Sequence, residues 1–270
     1  MLSTFIIALR EGLEASLIIG ILVAYLVKTE RRSLLRPLWL GVAAAIALSL
    51  GLGAFLSFTS AELSHRGEMV FAGTTAITAV TLVTWMVFWM KRAARGLRDE
   101  LHGKAENALL AGPLALAVAA FAAVSREGLE TSLFLYTNFK TVGPFSTPSV
   151  GLIAGLLAAI AMGYGIYNRS VKINLGKFFT YSGAALLIVA AGVLSHGIGE
   201  FLDLGWIPGG GEYAWKFAWL HEDSFPAALL NGTIGFSNEL RWVQLAVWAG
   251  FLALTLNAYL PKKVKTPLHA

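Results

Sequence analysis

Cysteine is absent from the 270 residues. That excludes structural disulfides and thiolate metal sites, so any metal held here takes oxygen or nitrogen ligands, the donors of hard and borderline cations. Charge is also scarce. Charged residues make up 14% of the chain, against about a quarter in an average soluble domain. No His-Glu-x-x-His zinc motif and no phosphate-binding glycine loop occurs, which argues against a zinc hydrolase and against an ATP-driven pump. No basic leader precedes the first apolar stretch, and Arg10, Glu11 and Glu14 interrupt it. The N-terminus therefore reads as a retained span rather than a cleaved signal peptide.

What is present is apolar sequence. Hydrophobic residues make up 56% of the chain, gathered into runs of helix-spanning length with charge confined between them, the pattern of a polytopic membrane protein. Seven spans are expected, over Leu2–Val27, Leu38–Phe58, Met69–Met90, Leu109–Thr137, Val150–Tyr167, Phe178–Ile198 and Trp242–Leu260. The fold class is all-α, a single integral membrane domain over residues 1–270.

The basic residues alternate by loop. Lys28, Arg31, Arg32 and Arg36 follow the first span. Lys91, Arg92, Arg95, Arg98 and Lys104 follow the third, Arg169, Lys172 and Lys177 the fifth, and Lys262, Lys263 and Lys265 the seventh. Seven spans put all of them on one side, which the positive-inside rule makes cytoplasmic, with the N-terminus outside. The net charge of +5 is thereby explained without nucleic acid. Lys91 to Asn107 reads as a helical extension with a solvated face. The loop from Gly199 to Leu240 is long, acidic and rich in tryptophan, and residues 199–240 form an extracytoplasmic segment suited to the interface.

An internal repeat underlies this pattern. Arg10-Glu-Gly-Leu-Glu-Ala-Ser-Leu17 recurs as Arg126-Glu-Gly-Leu-Glu-Thr-Ser-Leu133, and Gly41, Gly53 and Gly73 answer to Gly151, Gly163 and Gly183. Residues 1–90 thus form a first three-helix repeat and 109–198 a second, with 241–260 the seventh span. Three is odd, so the second copy enters the membrane from the opposite side. Such inverted repeats are typical of secondary transporters, with sites near the midplane.

Helical spacing places Glu11 and Glu14 on one face with Arg10 a turn before Glu14, and Glu127, Glu130 and Arg126 repeat the relation. Glu14 lies about 18 Å and Glu127 about 15 Å from the outer ends of their spans at 1.5 Å per residue. A charge at mid-membrane costs on the order of 2.5–3.5 kcal/mol on insertion scales, so these groups must face one another or a wet cavity. Four carboxylates against two arginines leave an acidic excess that a multivalent cation neutralises. The alternative is that the two motifs form only buried salt bridges pinning spans one and four. Duplication at equal spacing favours the metal. Ser16 and Ser132 are expected to bond to their own backbone.

These residues resemble the oxidase-dependent iron permease family of bacteria and fungi, within the iron/lead transporter superfamily. Its Arg-Glu-x-x-Glu hallmark in spans one and four matches Arg10–Glu14 and Arg126–Glu130, and Thr84-Trp-Met-Val-Phe-Trp-Met90 resembles the bacterial branch. The resemblance covers essentially the whole chain. It implies iron import across the cytoplasmic membrane, with Glu11, Glu14, Glu127 and Glu130 binding the ion. Iron is then a transported substrate rather than a cofactor. Its partners would be extracytoplasmic iron-delivering or iron-oxidising proteins, besides membrane lipid.

His196 and Glu200 share a helix face, and Glu222 and Asp223 follow in the acidic loop. They are candidates for an outer metal uptake point, against the simpler view of polar groups meeting water. Trp85 and Trp89 read as packing or interface anchors. Other classes remain: a membrane-embedded metallohydrolase built on His196 and the glutamates, a permease for lead or manganese, and a proton-conducting or signalling seven-span protein.

Overall fold

The computed structural model describes residues 2–93, 112–142, 146–168, 174–216 and 239–260. Seven long helices appear among them. They are α1 (Leu2–Lys28), α2 (Leu35–Glu62), α3 (His65–Ala93), α4 (Pro113–Val142), α5 (Ser146–Tyr167), α6 (Leu175–Asp203) and α7 (Trp242–Tyr259). A one-turn 3-10 helix, Arg32–Leu34, leads into α2. Each expected span therefore has its helix. The fourth starts and ends a few residues later than its apolar run, and the sixth continues to Asp203, so Gly199 and Glu200 are helical rather than part of the loop. Of the basic extension expected after the third span, only the stretch to Ala93 lies within the described residues, and there it is helical.

One element departs from an all-helical expectation. Strands β1 (Tyr213–Lys216) and β2 (Glu239–Arg241) pair antiparallel between the end of α6 and the start of α7. The register shifts between Tyr213 and Trp215, and Lys216 Nζ is held 2.5 Å from Glu239 Oε1 across the ladder. Arg241 ties this end down, with Nη2 2.5 Å from Asp203 Oδ1 and Nη1 donating to the Gly199 carbonyl at 3.4 Å.

By length and composition, α2, α3, α5, α6 and α7 are apolar enough to cross a membrane. The other two, α1 and α4, are as long and differ by carrying the Arg-Glu-Gly-Leu-Glu motifs. The outer surface of the bundle suits lipid. Leu40, Leu50, Phe58, Leu157, Ile160 and Leu254 are all more than 60% exposed. A continuous apolar coat of that kind would not survive in water and belongs in hydrocarbon.

Inside, two clusters form. Leu22, Leu26, Leu38, Val42, Leu116 and Ala120 join α1, α2 and α4. A larger one, including Val83, Met86, Phe134, Leu186, Leu187 and Tyr259, joins α3, α4, α6 and α7. The main helix pairs are α1 with α5, α2 with α4, α3 with α6 and α6 with α7, and α1 also meets α4. Small residues set these approaches. A Cβ on Gly12 would stand 2.8 Å from Ala159 Cβ, and one on Gly128 would stand 2.9 Å from Ser49 Cβ. The sequence repeats thus interlock: the broadest interfaces run between residues 1–90 and 109–198, not within either stretch.

Candidate metal-binding centre

The first motif turns inward from α1. Arg10, Glu11 and Glu14 are 1%, 4% and 3% exposed, and Glu127 on α4 is 6% exposed. Arg10 Nη1 donates to Glu11 Oε1 at 2.6 Å, and Nη2 lies 3.0 Å from Glu14 Oε1. The second contact is an ion pair without hydrogen-bond alignment, and Glu14 Oε1 is otherwise without a donor. One guanidinium therefore spans two carboxylates, the geometry its planar fork allows and an ammonium does not.

Carboxylate oxygens of Glu11, Glu14 and Glu127 lie within 4.8 Å of one another, the one such grouping of three or more acidic or histidine ligands among the described residues. Glu11 Oε2 and Glu127 Oε2 are buried without a hydrogen-bond donor. Buried carboxylate oxygens left without donors carry a large desolvation cost, which a cation sharing their lone pairs removes. Three carboxylates offer up to six oxygens, the donor set of hard or borderline cations.

The second motif is not a copy of the first in its surroundings. Glu130 Oε1 accepts from Arg126 Nε at 3.3 Å, but the Arg126 side chain is 38% exposed and that of Glu130 16%. The Arg126 guanidinium carbon sits 4.2 Å from the centroid of the Trp89 ring. Glu130 thus stands beside the three-carboxylate group rather than within it. The repeat suggests four equivalent glutamates; tertiary packing gathers three.

The serines behave as helix chemistry predicts. Ser16 Oγ donates to the Leu13 carbonyl at 2.9 Å and Ser132 Oγ to that of Gly128 at 2.9 Å. Ser132 also reaches across to the Ser49 carbonyl on α2 at 2.7 Å, a contact that no spacing rule within α4 reveals. His196 Nε2 lies 3.4 Å from Glu200 Oε1 on α6, as the i, i+4 spacing requires, and the pair does not join the glutamate group. Glu222 and Asp223 lie outside the described residues. Sequence reasoning missed the role of Trp89. Trp85 and Trp89 stand one turn apart, yet Trp85 is 70% exposed while Trp89 is half-buried under Arg126. The signal available was a basic residue opposite an aromatic in the packed bundle, which only helix pairing could bring together.

A long-helix bundle with an apolar coat and a buried, acidic, metal-competent centre defines the class: a polytopic membrane transporter for cations. Residues 1–258 match the Iron permease FTR1 family, and the chain belongs to that family. The chain is 36% identical over 264 residues to a protein named ferrous iron permease EfeU of Escherichia coli O6:H1, covering 96% of this chain and 95% of that one. It is 38% identical over 208 residues to the protein of that name from Yersinia pestis, covering 76% and 73%. The Escherichia coli K12 relative, 36% identical, is named a putative inactive ferrous iron permease EfeU. No solved structure matches the chain. Membership makes the protein a membrane-embedded permease and not an enzyme, with iron as cargo rather than cofactor. The metallohydrolase alternative falls with it.

Proposed function

We propose that iron crosses this permease through the Glu11, Glu14 and Glu127 carboxylates, with Arg10 as their fixed counter-charge and Glu130 as an adjacent acidic group. The observation that carries this reading is the convergence of three buried carboxylates from α1 and α4 within 4.8 Å. Fully ionised, three glutamates and one arginine leave a formal charge of about −2, which a divalent ion balances. The relatives at 36–38% identity are named for ferrous iron, and Fe²⁺ is the carried species on both grounds. A trivalent ion would leave an uncompensated positive charge in a lipid-shielded centre, which burial penalises.

The helix pairing supports an inverted repeat. Exchanging α1 with α4, α2 with α5 and α3 with α6 turns the α1–α5 pair into α4–α2 and leaves α3–α6 unchanged. The shift that aligns Gly41 with Gly151 and Gly53 with Gly163 also aligns Ser49 with Ala159. These are the two residues that face Gly128 and Gly12. Because the repeats interlock, the units that move are the helix pairs α1–α5 and α2–α4, which meet where the motifs meet. Sliding of one pair against the other exposes the carboxylates to alternate sides. The distribution of Lys and Arg supports an N-terminus outside and a C-terminus on the cytoplasmic side of the inner membrane, so that import runs from the acidic outer loop inward. Iron-delivering or iron-oxidising proteins outside the membrane are the partners this arrangement suits.

Uptake of radioactive iron into proteoliposomes tests the reading. Wild-type protein is expected to carry Fe²⁺ in preference to Fe³⁺, with manganese and lead as competitors, and Glu14→Gln or Glu127→Gln to abolish transport at normal protein levels. Undiminished uptake by both variants removes the glutamates from the pathway.

A further inference from the structure

The two arginines of the repeated motif are held in opposite ways. Arg10 is 1% exposed and locked to two carboxylates of its own helix. Arg126 is 38% exposed, has one ion pair at 3.3 Å, and lays its guanidinium on the face of Trp89 from α3. A guanidinium over an indole is held by the ring's quadrupole, a contact strong enough to fix a side chain and weak enough to be broken. Trp89 itself is partly buried and packs against the larger hydrophobic cluster of the bundle.

We propose that Trp89 is a positioning residue for transport: it holds Arg126 aside, so that only one arginine neutralises the carboxylate group while iron is bound. This rests on the reading of Glu11, Glu14 and Glu127 as the iron site. The physical content is charge arithmetic. With Arg126 on the ring and paired to Glu130, the group of Arg10 and three glutamates keeps its divalent deficit. A guanidinium released from the ring lies beside the same carboxylates and competes with the metal for them, because two cations in a low-dielectric cage repel. Arg126 is thus a movable counter-ion, and the indole sets its resting place. Transport uses both positions: on the ring, the site holds iron; off the ring, Arg126 replaces the charge that iron takes away. Among the described residues the arginine of α1 has no cation–π contact of this kind, and its two carboxylates hold it fixed.

Anoxic titration of purified full-length protein with Fe²⁺ tests this. Trp89→Ala is expected to weaken Fe²⁺ binding roughly tenfold, between the values of an exposed and a fully desolvated cation–π contact, while Trp89→Phe, which keeps a ring face, stays within about threefold of wild type. In an Arg126→Gln background, Trp89→Ala is expected to change nothing further, since no guanidinium is left to release. Equal weakening by Trp89→Ala in both backgrounds would assign Trp89 a packing role and overturn the proposal, as would unchanged binding in the single variant. Glu127→Gln in the same titration separates the two levels. If it binds Fe²⁺ like wild type, the glutamate site itself is wrong, whatever Trp89 does.

Discussion

Arg10 donates to the carboxylate of Glu11, its immediate neighbour in α1, at 2.6 Å. Adjacent residues on a helix point about 100° apart and do not ordinarily meet. Here both side chains are buried, Arg10 1% and Glu11 4% exposed, and a carboxylate oxygen of Glu127 from α4 lies within 4.8 Å of one of Glu11. A contact that helix geometry disfavours is thus made by the tertiary surroundings.

The first prediction follows from that pair. Arg10→Gln removes the guanidinium that pairs with Glu11 and Glu14 and leaves buried negative charge. Breaking a buried ion pair by deleting one partner costs about 3–5 kcal/mol, so a clear fall in the melting temperature in detergent is expected together with loss of iron uptake. Arg10→Lys is expected to recover part of the stability only, since one ammonium cannot reproduce two contacts made by separate nitrogens. A fully stable, fully active Arg10→Lys protein would show that bidentate geometry is irrelevant.

Glutamates of the two motifs are expected to differ. Glu127 converges with Glu11 and Glu14, whereas Glu130 pairs with Arg126 outside that group. Glu127→Gln therefore abolishes uptake, while Glu130→Gln lowers it with a rise in the half-saturating iron concentration and a surviving maximal rate. Concentration-dependent uptake assays read the two parameters apart. Indistinguishable loss in both variants would put all four carboxylates in one site.

Close helix approach gives a third outcome. An added methyl at Gly12 meets Ala159 Cβ at 2.8 Å, closer than carbon atoms pack. Gly12→Ala is expected to destabilise by about 1–3 kcal/mol through overpacking, and the second-site change Ala159→Gly to restore both stability and transport. Thermal unfolding of the single and double variants checks it, and additive damage in the double variant would refute the contact.

Tyr259 supplies a fourth. Its buried hydroxyl donates to the Phe179 carbonyl at 2.9 Å, its ring meets Phe88 edge-on at 5.7 Å, and Lys91 caps the end of α7 through the Ala258 and Tyr259 carbonyls. A cation on the last carbonyls of a helix also suits its dipole. Tyr259→Phe loses the hydrogen bond and keeps the ring, so a loss of about 0.5–1.5 kcal/mol is expected. Uptake per folded molecule should be unchanged, as measured in proteoliposomes normalised for folded protein.

How much of this was legible beforehand differs by feature. Five of the helices could be read from apolar run length alone, because a bilayer demands some twenty apolar residues per span whatever the neighbours are, and α1 and α4 from apolar runs that the charged motifs interrupt. Boundaries were less secure. The sixth helix overran its apolar stretch to Asp203, where Arg241 from the far end of the loop neutralises the helix end. The β1–β2 pair was invisible, since two short strands more than twenty residues apart depend on each other rather than on a local pattern. The motif announced its residues, because buried charge in duplicate is too costly to be incidental. It did not announce that Glu130 would stand apart or that Trp89 would hold Arg126.

The sequence by itself determined that this chain is a membrane-embedded helical bundle with acidic groups in two of its spans. Both facts follow from the cost of placing polar groups in lipid, which acts on each segment independently. Tertiary structure alone decided which carboxylates meet, that Arg10 is buried between two of them while Arg126 lies over Trp89, and that the helices of residues 1–90 pair with those of 109–198 rather than among themselves. Those outcomes depend on distances between segments more than 100 residues apart, and a repeat that is symmetric in sequence does not impose equal surroundings on its two copies.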